Sequence, residues 1–331
     1  MKPTDFAYYL TEYLSKYLPG QIGVSANTVR SYRDTFSLLL RFFTHEYGIS
    51  PDKLNFPQIT KERVEQFLAY LGTERGCSIS TRNQRLAAIH AFFRYMQTER
   101  PEHIHGCQQI IAIPFKKQPK SNIIRHISLD TMKEILAAPD NATRKGRREL
   151  VLLSVLYDSG ARIQEIADLR VEDVRTESPP SIKLYGKGGK WRIVPLMTQT
   201  ASLLEGYLKE WGLMSPEKKK APLFTNRHGQ KLTTAGIRYV FNKYVDPAAV
   251  TPHMFRHSKA MHLLQSGVNI VYIRDVLGHT NISTTEVYAR ADVEMKRKAL
   301  EKAYPSPTPG DSPSWQKDEA LLGWLKNLGR E

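Results

Sequence analysis

Cysteine is nearly missing from this chain: Cys77 and Cys107 are the only two in 331 residues. A single, widely spaced pair offers neither a disulfide framework nor metal-ligand spacing, and it fits a reducing compartment. No apolar run is long enough to cross a bilayer. The first residues, with Asp5 soon after Met1 and Lys2, do not resemble a secretory leader. A glycine-rich nucleotide loop is also missing, so no motif points to ATP. Acidic side chains are scarce too: 33 Asp and Glu against 48 Lys and Arg leave a formal charge of +15, most of it beyond residue 110. A surface of that sign suits a polyanion, and an anionic membrane face is the main competitor to nucleic acid. An apolar content of 41% is ordinary for a globular protein, and the length allows two domains.

Helical periodicity is what the chain has in quantity. Val29, Tyr32, Phe36, Leu39 and Phe43 keep one helical face, with Arg30 and Arg33 outside it. A second helix is expected from Thr60 and a third from Ser80-Thr81-Arg82, with Arg82 and Arg85 largely off its apolar stripe. As a set on two helices of a basic protein, these arginines are candidates for phosphate contacts that position DNA without reading it. Pro114, Lys116, Lys117, Pro119 and Lys120 then make a basic, proline-punctuated connector. Helices resume at Ser128, and the run from Leu150 to Tyr157 is too apolar all round to lie at a surface. One clear strand signal follows. Ser181–Tyr185 alternates, breaks at Gly186-Lys187-Gly188-Gly189-Lys190 and returns at Trp191–Pro195, which predicts a hairpin with a lysine-bearing tip. Helical character is expected again from Thr225 to Val245.

The chemistry-bearing stretch lies further on. Thr251 is placed to cap a helix with Pro252 at its first position, so that His253 and Arg256 share a face near an anion-favouring N-terminus. Gly278 reads as a left-handed cap that turns His279 back, and Ser283 with Glu286 reads as a capping box that puts Tyr288 in the first turns of another helix. Histidine, arginine and tyrosine can then converge on one anion. Upstream, Arg162 and Glu165 share one face of a helix that begins after the Asp158–Ala161 turn.

At Arg162, Lys187, His253, Arg256, His279 and Tyr288 the chain resembles the tyrosine recombinases: phage integrases, chromosome-dimer resolvases and transposon-borne integrases. The phrases that carry the likeness are Gly160-Ala161-Arg162-Ile163-Gln164-Glu165, Gly186-Lys187-Gly188-Gly189-Lys190-Trp191-Arg192, His253-Met254-Phe255-Arg256-His257-Ser258, Leu277-Gly278-His279 and Thr284-Thr285-Glu286-Val287-Tyr288. The resemblance implies a mainly α fold with a small antiparallel sheet (α+β), built as a C-shaped clamp on DNA. Residues 1–110 would be the helical core-binding domain, 111–125 the basic linker, 126–304 the catalytic domain, and 305–331 a proline-rich spacer and helix that docks on a neighbour or folds back on its own domain. It implies Tyr288 as nucleophile, Arg162 and Arg256 as phosphate clamps, His253 as acceptor of the tyrosine proton, His279 as phosphate ligand or orienter of the site, Lys187 as acid for the leaving oxygen and Glu165 as support. Added DNA contacts are expected at Arg30, Arg33, Arg82, Arg85, Lys116, Lys117, Lys120 and Lys190. Neither metal nor other cofactor is implied. The expected partners are a duplex recombination site and further recombinase protomers in a homo- or hetero-tetramer, in the cytoplasm with the nucleoid. A mobile-element integrase is the expected role, and the rivals are a chromosome-dimer-resolving recombinase, a type IB topoisomerase and a DNA-binding factor with a dead site.

Overall fold

Serine and threonine hydroxyls start most of the helices. In the computed structural model, which describes residues 4–117, 125–186, 189–279 and 281–291 with the single positions 297 and 323, the chain divides into two units, Met1–Lys120 and Ser121–Glu331. In the first unit, Thr4 caps α1 (Asp5–Glu12), which continues as a wider-wound turn over Tyr13–Gln21. Ser25, Thr60 and Ser78 cap α2 (Ala26–Tyr47), α3 (Lys61–Thr73) and α4 (Ile79–Glu99). Each such cap contributes about 1 kcal/mol relative to alanine. Helix α5 (Ile104–Ile111) closes the unit against α3 and α4.

The core of this unit is aromatic. The Phe92 ring sits edge-on to Phe6, Tyr13 and Phe36 at centroid distances of 5.7, 5.3 and 5.1 Å. Two expectations change here. The third helix begins at Ser78, two residues before the predicted start. And α4 packs against α2, α3 and α5, so it is buried on more than one side and takes Arg82 in with it, 9% exposed.

The second unit opens with α6 (Leu129–Ala137) and the buried α7 (Arg144–Asp158), capped by Ser128 and Thr143. Helix α8 (Ile163–Asp168) leads into an antiparallel sheet in the order β1 (Val174–Arg175), β2 (Ser181–Tyr185) and β3 (Trp191–Pro195). The predicted hairpin is present, paired Ile182 to Val194 and Leu184 to Arg192; β1 is an addition too short to show alternation. Helices α9 (Thr198–Glu210), α10 (Thr234–Phe241), α11 (Pro252–Gln265), α12 (Ile270–Leu277) and α13 (Ser283–Ala291) complete it.

Only part of the Thr225–Val245 stretch is helical. Thr225 and Lys231 instead pair across a turn in which the Asn226 side chain accepts from the amide of His228. The expected cap at Thr251 has the right backbone but no side-chain hydrogen bond. The capping box at Ser283 is replaced by Asn281, whose Oδ1 accepts from the Ser283 amide at 3.1 Å. The first helical carbonyl is that of Ile282, which accepts from Thr285 and Glu286. Asparagine closes such a turn through its own side chain.

One glycine opposes helix propensity. A Cβ on Gly146, in the first turn of α7, would lie 2.0 Å from the Asp140 carbonyl oxygen and 2.9 Å from the Thr143 hydroxyl that caps the helix. Propensity alone favours alanine in a helix by up to about 1 kcal/mol, whereas forced overpacking costs about 1–3 kcal/mol. Gly146→Ala is therefore expected to lower the unfolding temperature of the second unit. Tryptophan fluorescence reads that unit selectively, because all four tryptophans lie beyond residue 190. An unchanged or raised transition would contradict the packing described.

Candidate active site

Two helix ends and one turn converge in the second unit. The turn after α7 needs Gly160, at φ +56°: a Cβ there would meet Leu277 Cδ2 at 3.0 Å. The Gly160 carbonyl accepts from Arg256 Nη1 at 2.8 Å, and the Leu277 carbonyl accepts from Arg256 Nη2. Arg256, on α11, is thus held by two backbone oxygens from different segments and is 1% exposed. Burial, with the Arg162 charge beside it, pulls its pKa down to about 9, so it stays charged at neutral pH. Arg162 stands at the start of α8. Its backbone N–H donates to Glu165 Oε2 at 2.8 Å and its Nη1 to Glu165 Oε1 at 3.0 Å. Burial works to raise the Glu165 carboxyl, but hydrogen bonds and charge from Arg192 and Arg162 outweigh it and hold the pKa below the usual carboxylate value.

Tyr288, on α13, is 3% exposed, and its hydroxyl lies 2.7 Å from His257 Nδ1. His279 stacks on the Tyr288 ring at 6.4 Å and 7°, while its own Nδ1 meets the Thr285 hydroxyl at 2.8 Å. His253 lies one turn before His257, ring centroids 4.3 Å apart. Desolvation dominates the ionisation of all these groups. It lowers His253, and lowers His257 and His279 to about 4, in each case reinforced by nearby cationic or imidazole groups. It raises Tyr288, against the opposing pull of Arg256 and Arg162. At neutral pH the cluster is therefore a protonated phenol among uncharged imidazoles and fixed guanidinium charge. A cleft of about 510 Å³ is lined in part by Arg162 and His253, and another of about 380 Å³ by Lys190, Arg192, Gly278 and His279.

Of the residues singled out from sequence, Arg162, Glu165, His253, Arg256, His279 and Tyr288 come together, with Lys190 exposed on the wall of the second cleft. Lys187 and Lys120, like the 305–331 segment apart from Gly323, lie outside the described residues. In the first unit, Arg30 and Arg85 share a surface pocket with Ser31 and Gln84. Arg33 is exposed and paired to Asp34 at 3.0 Å. Lys116 and Lys117 are exposed, and the Lys116 backbone is pinned to Asn83 of α4. Arg82 is corrected: it is buried and donates to Asn83, which leaves it little surface for a phosphate.

Two members of the cluster were not foreseen. His257, not His253, meets the Tyr288 hydroxyl. The available signal was spacing, because His257 follows His253 by one helical turn. Arg192 is the second, donating to both Glu165 oxygens at 3.0 and 2.7 Å. Its signal was a guanidinium at a position where strand alternation calls for an inward side chain.

Known proteins share this organisation. The profile described as "Phage integrase family" matches residues 125–295, and "Phage integrase, N-terminal SAM-like domain" matches residues 10–100. A Sinorhizobium fredii protein carrying the name integrase/recombinase y4rC is 35% identical, over 99% of each chain. Tyrosine recombinase XerD of Listeria innocua is 31% identical, over 85% of this chain and 93% of its own. Among solved structures, the XerH site-specific recombinase bound to palindromic difH substrate has a TM-score of 0.64 at 23% identity, covering 83% of this chain and 78% of that one. The Tn1549 transposon integrase in complex with transposon right end DNA has a TM-score of 0.60 at 17% identity, covering 88% and 98%. With both units matched and relatives above 30% identity spanning most of its length, the chain belongs to the phage integrase family of tyrosine recombinases.

Proposed function

We propose that this protein cuts and rejoins DNA at a specific site through a 3′-phosphotyrosyl link formed by Tyr288, acting as a tetramer through a Holliday junction. The observation that carries the reading is the buried Tyr288 hydroxyl, 2.7 Å from His257 Nδ1 and within the field of Arg256 and Arg162. The phenol oxygen attacks the scissile phosphorus, the bond to the 5′ oxygen breaks, and the link keeps the ester's energy for rejoining. Ionising a tyrosine of ordinary pKa at neutral pH costs roughly 4 kcal/mol, and burial adds to that here. A proton acceptor is required, and a neutral imidazole protonated on Nε2 offers Nδ1 for it. His257 takes the role first given to His253, which sits beside it and faces the Arg162 cleft.

Arg162 and Arg256 bind the non-bridging oxygens, where charge builds in the transition state. Thr285 fixes the His279 ring through Nδ1 and so leaves Nε2 to the phosphate. Lys187 protonates the leaving 5′ oxygen, an assignment that rests on the family likeness alone. Arg30, Arg33, Arg85, Lys116, Lys117 and Lys190 contact backbone phosphates. A DNA substrate supports a location with the nucleoid. The S. fredii integrase/recombinase and the Tn1549 integrase support a mobile-element role. The XerC and XerD relatives support chromosome-dimer resolution as the second reading.

Fragments of the DNA flanking the gene, incubated with protein and resolved in denaturing gels, are expected to show a covalent protein–DNA band whose junction maps the cleavage site. Junctions at the ends of an excisable element indicate an integrase, and a lone chromosomal site indicates a resolvase. On a nicked duplex carrying the mapped site, wild type should trap covalently and Tyr288→Phe should not; trapping by the phenylalanine variant would remove the assignment. His257→Ala should slow trapping by about 100-fold, whereas an equal loss in His253→Ala alone would return the proton to His253.

The low His257 pKa also sets a pH dependence. Its base form persists at every pH above about 4 in the free protein. With protein and DNA both below the binding constant, where the rate reads the free protein's ionisations, trapping should hold nearly level from neutral pH down to roughly 5 and fall only below that. A half-loss near the ordinary histidine value of about 6.5 would show that His257 is not the acceptor.

A further inference from the structure

We infer that Arg192 is a positioning residue for strand cleavage: from the inward face of the β2–β3 hairpin it ties Glu165, and through it Arg162, to the helix end that aims His279. The inference rests on the recombinase reading above. Arg192 pairs with Leu184 and shares its face with Ile182 and Val194, each no more than 1% exposed. Meanwhile Trp191 and Ile193 point outward, 53% and 71% exposed. Alternation is kept, but at 191–193 it puts the charge inside and the two large apolar groups outside. Replacing a buried ion pair by apolar side chains is often neutral or stabilising, so packing alone gives no reason for a guanidinium in this place.

Its hydrogen bonds do. The two terminal nitrogens span the Glu165 carboxylate, and Nε donates to the Val276 carbonyl at 2.9 Å, near the end of α12. Glu165 in turn receives the backbone N–H and Nη1 of Arg162, so each carboxylate oxygen accepts one bond from each arginine. Gly278, the left-handed cap before His279, lies against Arg192: a Cβ there would come within 2.8 Å of Arg192 Cδ and 3.0 Å of Nη1. One side chain therefore joins the strand, the start of α8 and the end of α12. A lysine has one nitrogen and cannot reach all three acceptors.

The test uses the full-length protein and the nicked duplex carrying the mapped site. Arg192→Gln and Arg192→Lys are both expected to slow covalent trapping by about 100-fold, the scale of a small misplacement of a catalytic group, with DNA affinity unchanged. The separating readout is the same duplex with a methylphosphonate at the scissile position, which removes one charged oxygen that Arg162 would otherwise neutralise. On it the gap between wild type and variants should shrink at least about tenfold, whereas a general loss of folded protein leaves the gap unchanged. Gly278→Ala displaces the guanidinium without removing it and should show the same signature, which covers the case of an Arg192 variant that folds poorly. Wild-type trapping rates in the Arg192 and Gly278 variants, or an equal deficit on both substrates, would overturn the inference and leave the recombinase reading standing. A wild-type protein that traps neither substrate would remove the reading, and the inference with it.

Discussion

The second unit's site depends on a positive charge kept out of water. Arg256 is 1% exposed, and its guanidinium is met by the carbonyls of Gly160 and Leu277. Transferring a charge into an apolar interior costs several kcal/mol even after relaxation, and neutral oxygens return part of that without cancelling the charge. A carboxylate in their place would neutralise the guanidinium and spend its field before any substrate arrives. Glu165 is instead bonded to Arg162 and Arg192, and it acts on Arg256 through space. The turn at Gly160, the left-handed cap at Gly278 and the packing of Leu277 follow from the need to bring two carbonyls to one side chain.

The same burial decides the resting ionisation of everything nearby. For Tyr288, desolvation outweighs the pull of two guanidinium groups, so the phenol remains protonated. For His257 and His279, desolvation and neighbouring positive charge act in the same direction, and both rings stay neutral far below their ordinary pKa. A charged imidazole could not accept a proton from Tyr288, and the same cationic surroundings that favour an oxyanion keep the His257 ring neutral. Attraction for an oxyanion and repulsion of protons are one electrostatic fact.

How much of this was legible in the sequence depends on the range of the interaction. Local rules performed well where both partners lie within one turn: His253 and Arg256 share a face of α11, Gly278 adopts the left-handed cap, and the Arg162 and Glu165 side chains meet. They failed where competing local caps exist, as at Ser283, where Asn281 is the earlier and stronger turn former. They also failed where burial is two-sided, as for Arg82 on a helix packed by three neighbours. Convergence of distant segments was legible in outline, but which atoms meet across them was not. Nothing near Tyr288 announces that His257, 31 positions earlier, meets its hydroxyl, and nothing near Arg192 announces Glu165, 27 positions earlier.

Charge balance sets this arrangement apart from an ordinary structural core. Arg162, Arg192 and Arg256 act on one another, and the carboxylate bonded within the group, Glu165, already accepts from two of them. Like charges confined at low dielectric repel, and the cluster by itself works against folding. Its surplus matches an anion that presents several oxygens at once, the geometry of a phosphodiester. A ligand that meets the folded form alone stabilises it by mass action, so an anion bound at this cluster would offset the repulsion among its charges. The guanidinium with a carboxylate partner on only one side, Arg162, borders the open cleft, while the more deeply buried Arg192 and Arg256 are spoken for by Glu165, Val276, Gly160 and Leu277. Exposure is thus graded across the three, and Arg162, 37% exposed at its side chain, is the one that borders the open cleft.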